Sequence, residues 1–290
     1  MILIAGCGYL GSYLIDALRE RTDEPIVAAA LHPRRADPAR GLTWEALDVA
    51  DPASVKALSD RYAEKVTTVF YLAACHNIDF IVKEPLAAAN VNLAGLERFM
   101  RAFWNVQKLL FASTDCVYGE NTPEKPAFTE DDPLDPVNLY GRQKAGAETL
   151  VRAMGYTAVR FGYMLGESKN EKPHFYDRLC ASLRRGEPIE MIDGMRRSTL
   201  SYAQAAEALA RLGELPAGSL PGAVNAGGDE GLTKYEMGLR VAQRVGADPA
   251  LVRPITMDEG KKFFTDARAN SAVMDSSLLK KLTGMEKINF

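Results

Sequence analysis

An α/β fold, a doubly wound parallel sheet with a smaller C-terminal lobe, is what this sequence predicts, on three observations. Met1–Ala5 is a short apolar run that enters Gly6-Cys7-Gly8-Tyr9-Leu10-Gly11 and then an amphipathic stretch over about 10–21. The first 160 residues alternate strand-like and helix-like segments, the pattern of a parallel sheet covered on both faces. After Arg160 that alternation stops, and the remaining segments read as a smaller lobe over the carboxyl edge of the sheet.

Each element carries its own signal. Between a strand and a helix, G-x-G-x-x-G lets the backbone approach a pyrophosphate resting on the helix N-terminus, the Rossmann-type use of the pattern. Alone the glycine pattern is weak; its position at residue 6, directly after a strand, gives it weight. Gly6, Gly8, Tyr9, Leu10 and Gly11 are therefore the first candidate cofactor contacts. The second strand, 26–31, runs into His32-Pro33-Arg34-Arg35. An NAD site wants an acid here for the ribose 2′-OH. No acid occurs before Asp37 while two arginines do, so NADP is favoured with NAD as the alternative; plain solvation of a loop competes with both.

The third strand, 43–47, leads to Asp48-Val49, where an acid contacts adenine or caps a helix. Asp51, just before Pro52, is the better cap for a helix over 52–64. The fourth strand, 66–73, gives Leu72, Ala73 and Ala74, small enough for a cofactor to lie against the backbone or for close helix packing. A helix over 85–103, a strand over 107–112, a helix over 137–153 and a strand over 156–161 complete this half. Beyond it come helices over 174–185, 202–212 and 233–245 and strands over 189–192 and 223–226, with Thr233-x-x-Glu236 forming a capping box. The predicted division is a nucleotide-binding domain over 1–162, rejoined by 201–226, and a substrate-binding lobe over 163–200 and 227–290.

Composition excludes several roles. A net charge of −3 without a strongly basic run argues against nucleic acid as a partner. Cys7, Cys75, Cys116 and Cys180 are scattered and the three histidines dispersed, so free thiols are expected and no metal site. No signal-peptide pattern and no apolar stretch of membrane-spanning length occur, which predicts a soluble, cytoplasmic protein.

Chemistry concentrates in Tyr140-Gly141-Arg142-Gln143-Lys144. Residues i and i+4 share a helical face, so phenol and ammonium point into one pocket. A free tyrosine ionises near ~10, too high for acid–base work at neutral pH. At ~5 Å and an effective dielectric of ~20, an ammonium favours the phenolate by about 3 kcal/mol, roughly two pKa units. Ser113-Thr114-Asp115, at the end of an apolar strand, offers a hydroxyl in Thr114 to hold a substrate oxygen. An ordinary solvated helical face is the competing reading of a lone Y-x-x-x-K; the glycine turn and Thr114 together argue against it.

Phe111-Ala-Ser-Thr-Asp-Cys-Val-Tyr-Gly119 and Asp135-Pro-Val-Asn-Leu-Tyr-Gly-Arg-Gln-Lys144, with Asp79, Glu84-Pro85 and Arg268-Ala269-Asn270-Ser271, give the chain a family likeness. It resembles the extended short-chain dehydrogenase/reductases of the NAD-dependent epimerase/dehydratase superfamily, and within them the dTDP-4-dehydrorhamnose reductase group. The resemblance implies a catalytic set of Thr114, Tyr140 and Lys144. Tyr140 would protonate a sugar ketone while NADPH delivers hydride; Lys144 would bind the nicotinamide ribose and lower the tyrosine's pKa. It also implies cofactor contacts by Asn90, Tyr140 and Lys144 beside those named above, and a homodimer. Substrate contacts would come from His76, Asp115, Cys116, Tyr163, His174, Arg197 and Arg268, with Arg196 a further candidate for a pyrophosphate.

Three departures from the family pattern bear on activity. The first turn lacks one residue of G-x-x-G-x-x-G. Cys116 stands where dehydratases carry a second acid, which disfavours water elimination. Ala269 replaces proline and His174 replaces asparagine where the nucleotide-sugar should sit. The leading expectation is an NADP(H)-dependent reductase of a nucleotide-linked keto sugar. The alternatives are an NAD-dependent nucleotide-sugar 4-epimerase and a catalytically silent NADP-binding regulatory subunit.

Overall fold

The computed structural model describes residues 1–34, 37, 41–169 and 173–290. Its centre is a seven-stranded parallel sheet: β1 (Ile2–Ala5), β2 (Ile26–Ala30), β3 (Leu42–Ala46), β4 (Thr68–Tyr71), β5 (Lys108–Thr114), β6 (Thr157–Phe161) and, after a long excursion, Ala223–Ala226. The spatial order from the late strand inward is Ala223–Ala226, β6, β5, β4, β1, β2, β3. The doubly wound Rossmann-type fold expected from the alternation is the one formed. In β1, Ile2 and Ile4 pack into one apolar layer and Leu3 and Ala5 into the other, so the strand is buried on both faces and reads as a continuous apolar run.

Helices cover both faces. On one side lie α1 (Tyr9–Arg19) and, much later in the chain, Tyr202–Glu214, joined by an apolar layer and by Arg21 pairing with Glu207 and Glu214. On the other lie α2 (Pro52–Tyr62) and a segmented run: α3 (Ile78–Lys83), α4 (Pro85–Ala89), a π turn at Asn90–Ala94 and α5 (Gly95–Ala102). Asp51 caps α2 by accepting from the Ala53 amide at 2.9 Å, ahead of Pro52. The sequence reading began the segmented run at 85. The chain turns helical earlier because the Asn77 side chain accepts from the Phe80 amide and caps α3.

The next helix, α6 (Leu139–Ala153), carries Tyr140 and Lys144. Asn138 caps it by accepting from Gly141 N at 2.8 Å. Position 141 admits only glycine, since a Cβ there would fall 2.1 Å from the Cys116 carbonyl oxygen. That close approach sets Tyr140 against the turn that follows β5.

After β6 the chain builds the lobe: β7 (Tyr163–Leu165), α7 (Phe175–Arg184), β8 (Ile189–Ile192) and β9 (Arg196–Ser201). It returns through α8 (Tyr202–Glu214) and β10 (Ala223–Ala226), the late strand of the main sheet. It leaves again through β11 (Gly231–Leu232), α9 (Lys234–Val245), β12 (Val252–Ile255) and β13 (Ser271–Ala272). β9 joins β11, β13 and β7 in a second sheet, and β12 pairs with β8. The sequence reading assigns no strand to Tyr163–Leu165 or Arg196–Ser201. They form β7 and β9 because each finds a partner strand, a tertiary cause that local propensity does not carry.

A buried ion pair fastens α6 to the sheet. The Arg160 guanidinium on β6 holds the Glu148 carboxylate through Nε at 3.0 Å and Nη2 at 2.8 Å, and both side chains are 0 % exposed. Ser113 on β5 donates to the same carboxylate, and Arg160 Nη1 donates to Tyr118 Oη at 2.6 Å. Truncating one partner of such a pair leaves the other charge buried alone, at about 3–5 kcal/mol. Glu148→Ala should therefore lower unfolding free energy by that order in urea titration; a loss well under ~1 kcal/mol would show that the pair does not fasten the helix.

Candidate active site

The carboxyl ends of β1, β2, β4 and β5 place their loops along one edge of the sheet, where ligands bind in doubly wound folds. At β1 the three glycines of the turn have different reasons. Gly6 has φ +87°, and a Cβ on it would lie 2.3 Å from the Ala73 amide nitrogen. A Cβ on Gly11 would meet the Cys7 sulfur at 2.8 Å. A Cβ on Gly8 would meet nothing closer than 4.0 Å, so no protein atom demands a glycine there. What it leaves is open backbone at the N-terminus of α1, whose first turn carries no acidic side chain to offset the helix dipole. Tyr9 and the buried Leu10 begin that helix. A dinucleotide pyrophosphate fits this cradle.

Arg34, at the end of β2, leans over the cradle's outer side. Its Nη2 donates to Ser12 Oγ at 3.1 Å and its guanidinium lies 5.3 Å from the Trp44 ring centroid. His32 beside it is exposed, and Arg35 lies outside the described residues. Asp37 is turned back onto the backbone of Leu42. Asp48 accepts from Ala50 N at 2.9 Å, Val49 is buried, and the exposed Asn90 donates to Ala50 O at 3.5 Å. Leu72, Ala73 and Ala74 are half-buried at the end of β4, Ala73 pressed against Gly6. Sequence reading missed Asn92. Buried on the segmented helix run, it clamps Cys75 through both backbone groups at 2.8 and 2.9 Å and donates to Gln143 Oε1 at 2.8 Å. It thereby fixes the loop after β4 against α6.

Thr114 ends β5 with its hydroxyl already engaged, donating to Asp115 Oδ1 at 3.1 Å and accepting from Cys116 N at 3.2 Å. Asp115 is buried, its Oδ2 3.4 Å from Arg197 Nε. Burial raises its pKa, and Arg197 opposes that rise. Burial, with Asp115 alongside, pushes the Cys116 thiol up to about 12, so it is no base at neutral pH.

Tyr140 faces this turn and Cys75. The expected depression of its pKa by Lys144 is not what the structure shows: burial raises the phenol's pKa, and Cys116, Asp115 and Cys75 add to the rise. The physical reason lies in the lysine. Its ammonium donates to the Ala112 carbonyl at 2.6 Å and stands 3.9 Å from the Phe111 ring centroid, with the residue 2 % exposed. Burial pushes Lys144 down to about 7, and Glu148 opposes this. Packed against protein, the phenolate and the ammonium each lose hydration.

His76, after β4, opens on the cleft yet is enclosed by protein; that enclosure lowers its pKa, and Lys144 lowers it further. Across from it His174, ahead of α7, rests on Tyr9 at 4.6 Å between ring centroids, its pKa lowered by burial and by His76. Arg197, 7 % exposed, donates to the carbonyls of Arg196 and Ala269, both at 2.8 Å. Arg196 points elsewhere and pairs with Glu236. Arg268 lies over Phe264 and meets Ala267 O at 3.3 Å. A residue sequence reading passed over joins them: Lys234, first residue of α9, whose ammonium lies over the Tyr163 ring. Its place inside the capping box hid it. The structure thus gathers Thr114, Asp115, Cys116, Tyr140, Lys144, His76, His174, Tyr163, Arg197 and Arg268 at one edge.

A model of the family described as NAD dependent epimerase/dehydratase matches residues 2–227. The chain belongs to that family. It is 32% identical over 182 residues to a UDP-glucose 4-epimerase of Lactobacillus helveticus, covering 59% of this chain and 53% of the relative. It spans about half the length of the first such relatives. A dTDP-4-keto-6-deoxy-D-glucose reductase of Streptomyces niveus is 27% identical over 264 residues, covering 89% of this chain and 82% of the relative. In fold, the chain is similar to the Thermus thermophilus UDP-glucose 4-epimerase in complex with NAD: TM-score 0.81, 24% identity, 100% of this chain and 95% of that one. No described helix is long and apolar enough to cross a membrane.

Lys144 gives the family member a pH signature. Its folded pKa of about 7 lies below the ordinary 10.5, so between those values the unfolded chain holds a proton the folded chain lacks. Stability then rises with pH across that window, and the penalty is complete below about 7. Urea titrations of the ligand-free protein from about pH 7 to about pH 9.5 should show a rising contribution that Lys144→Met removes. Identical pH dependence in the two proteins would refute it.

Proposed function

We propose that the chain is an NADP(H)-dependent reductase of a nucleotide-linked keto sugar, with Tyr140 as proton donor. The observation that carries this reading is the seating of Tyr140 against the Thr114–Cys116 turn, on a helix whose Gly141 allows that close approach. A dinucleotide held by its pyrophosphate at the Gly8 turn would supply hydride to the carbonyl carbon from its reduced nicotinamide. Tyr140 gives its phenolic proton to the carbonyl oxygen as the C=O electron pair moves there, and solvent restores the phenol. Its raised pKa keeps it protonated at neutral pH, the form a donor needs. Thr114 reaches the ketone by releasing its donor bond to Asp115. Lys144, whose ammonium rests on Ala112 O and the Phe111 ring, would exchange that carbonyl for the ribose hydroxyls. Cys116, with its high pKa, supports reduction over water elimination.

Arg34 supports NADP(H), since a guanidinium beside the ribose end suits a 2′-phosphate. One feature favours the epimerase reading, in which a cofactor stays bound through both half-reactions. The segment before α7 is strapped to α1: Tyr13 Oη donates to Glu167 O at 2.8 Å, Lys169 pairs with Asp16 at 2.6 Å, and Arg34 reaches Lys169 O at 3.5 Å. Such a strap slows exchange of whatever lies beneath it. A cofactor that survives gel filtration, with interconversion of 4-epimers and no net NADPH oxidation, would decide for the epimerase. Tight cofactor without any turnover would mark a regulatory subunit.

Two outcomes are expected of the reductase. Tyr140→Phe should lower kcat by about 10²- to 10⁴-fold, the usual worth of a positioned general acid, while NADPH still binds; near-normal turnover would remove the assigned role. Arg34→Ala should weaken NADPH much more than NADH in fluorescence titration, and an equal loss for both would end the 2′-phosphate argument.

A further inference from the structure

We propose that Lys234 binds the substrate directly, its ammonium taking an anionic oxygen beside Arg268. The inference rests on the nucleotide-sugar reading above and names a contact within it. Lys234 stands between the rings of Tyr163 and Phe175, and among the described residues no hydrogen-bond acceptor or carboxylate lies within bonding distance of its ammonium. The nearby acids are committed elsewhere. Glu236 holds Thr233 N and Arg196, Asp193 accepts from the Thr233 hydroxyl, and Asp115 faces Arg197. Arg197 and Arg268 both repel the ammonium, and Asp115 attracts it. A half-buried ammonium beside other cations, held only by ring faces, suits an added negative partner.

Arg197, expected from the sequence to meet the substrate, has its guanidinium held by two backbone carbonyls and Asp115. Lys234 and Arg268 are the cations of this group with donors to spare. Two sources offer the anionic oxygen: the diphosphate linker of a nucleotide-sugar, or a carboxylate on the sugar itself.

The test uses the full chain with saturating NADP⁺ and the variants Lys234→Met and Lys234→Arg. Calorimetric titration of UDP and dTDP probes the diphosphate; paired UDP-hexose and UDP-hexuronate titrations probe a carboxylate. Lys234→Met should weaken one of these probe sets by about 10- to 100-fold, the worth of one charged hydrogen bond, with Lys234→Arg recovering part of it. NADP⁺ affinity should stay within about twofold, and the thermal midpoint should hold or rise, because an apolar side chain replaces an unpaired cation. Loss for UDP and dTDP assigns the diphosphate, and loss confined to the hexuronate assigns the carboxylate. Equal affinities in wild type and Lys234→Met for every probe overturn this inference alone. A wild type that binds none of the nucleotides overturns the nucleotide-sugar reading and the inference together.

Discussion

The pairing of Arg160 with Glu148 is the interaction on which the geometry of the cleft depends. Both side chains are fully enclosed, so each charge must be satisfied by protein. Glu148 answers to Arg160 on β6 and Ser113 on β5, and Arg160 answers also to Tyr118 and the Glu130 carbonyl. The last strand is drawn in as well, since Asn225 accepts from Tyr118 Oη and donates to Phe128 O. One carboxylate on α6 therefore registers that helix against two strands at once. Lys144 sits one turn before it, and Tyr140 one turn before that. A hydrophobic contact would have allowed α6 to slide; a bidentate pair with fixed directions does not.

That register explains why the cleft is electrostatically unusual. Tyr140 and Lys144 are both pressed into protein, and that pressing disfavours the charged form of each. The simple expectation from helical spacing considered attraction alone. Desolvation decides the direction for both groups, and the lysine's nearest acceptor is a backbone carbonyl of the strand below.

Much of the fold was legible because its signals are local. The apolar run, glycine turn and amphipathic helix at the N-terminus each announce themselves, and Asp51-Pro52 and Thr233-x-x-Glu236 mark caps that the structure forms. Buried parallel strands read as unbroken apolar segments. The lobe was less legible, for a definite reason. β9 is Arg-Arg-Ser-Thr-Leu-Ser, a strand only because β7, β11 and β13 surround it. α3 hid in a segment of six residues held by an asparagine cap. Lys234 was missed since a lysine after a capping threonine looks like helix solvation. Its enclosure by Tyr163 and Phe175 comes from elements far back along the chain. Asn92 was missed for the opposite reason, since a buried amide within an apolar helix gives no periodic signal.

The late return of β10 to the main sheet has a consequence for how the chain folds. β6 cannot acquire its outer neighbour, nor α1 its cover from α8, until residues 163–200 have been synthesised. The main sheet therefore cannot finish before the lobe begins. A ribosome that has released only residues 1–162 presents a sheet with a bare edge and a helix with a bare apolar face, an arrangement open to pairing with other chains. Sheet and lobe ripen together, and a slow, non-local closing step is built into their connectivity.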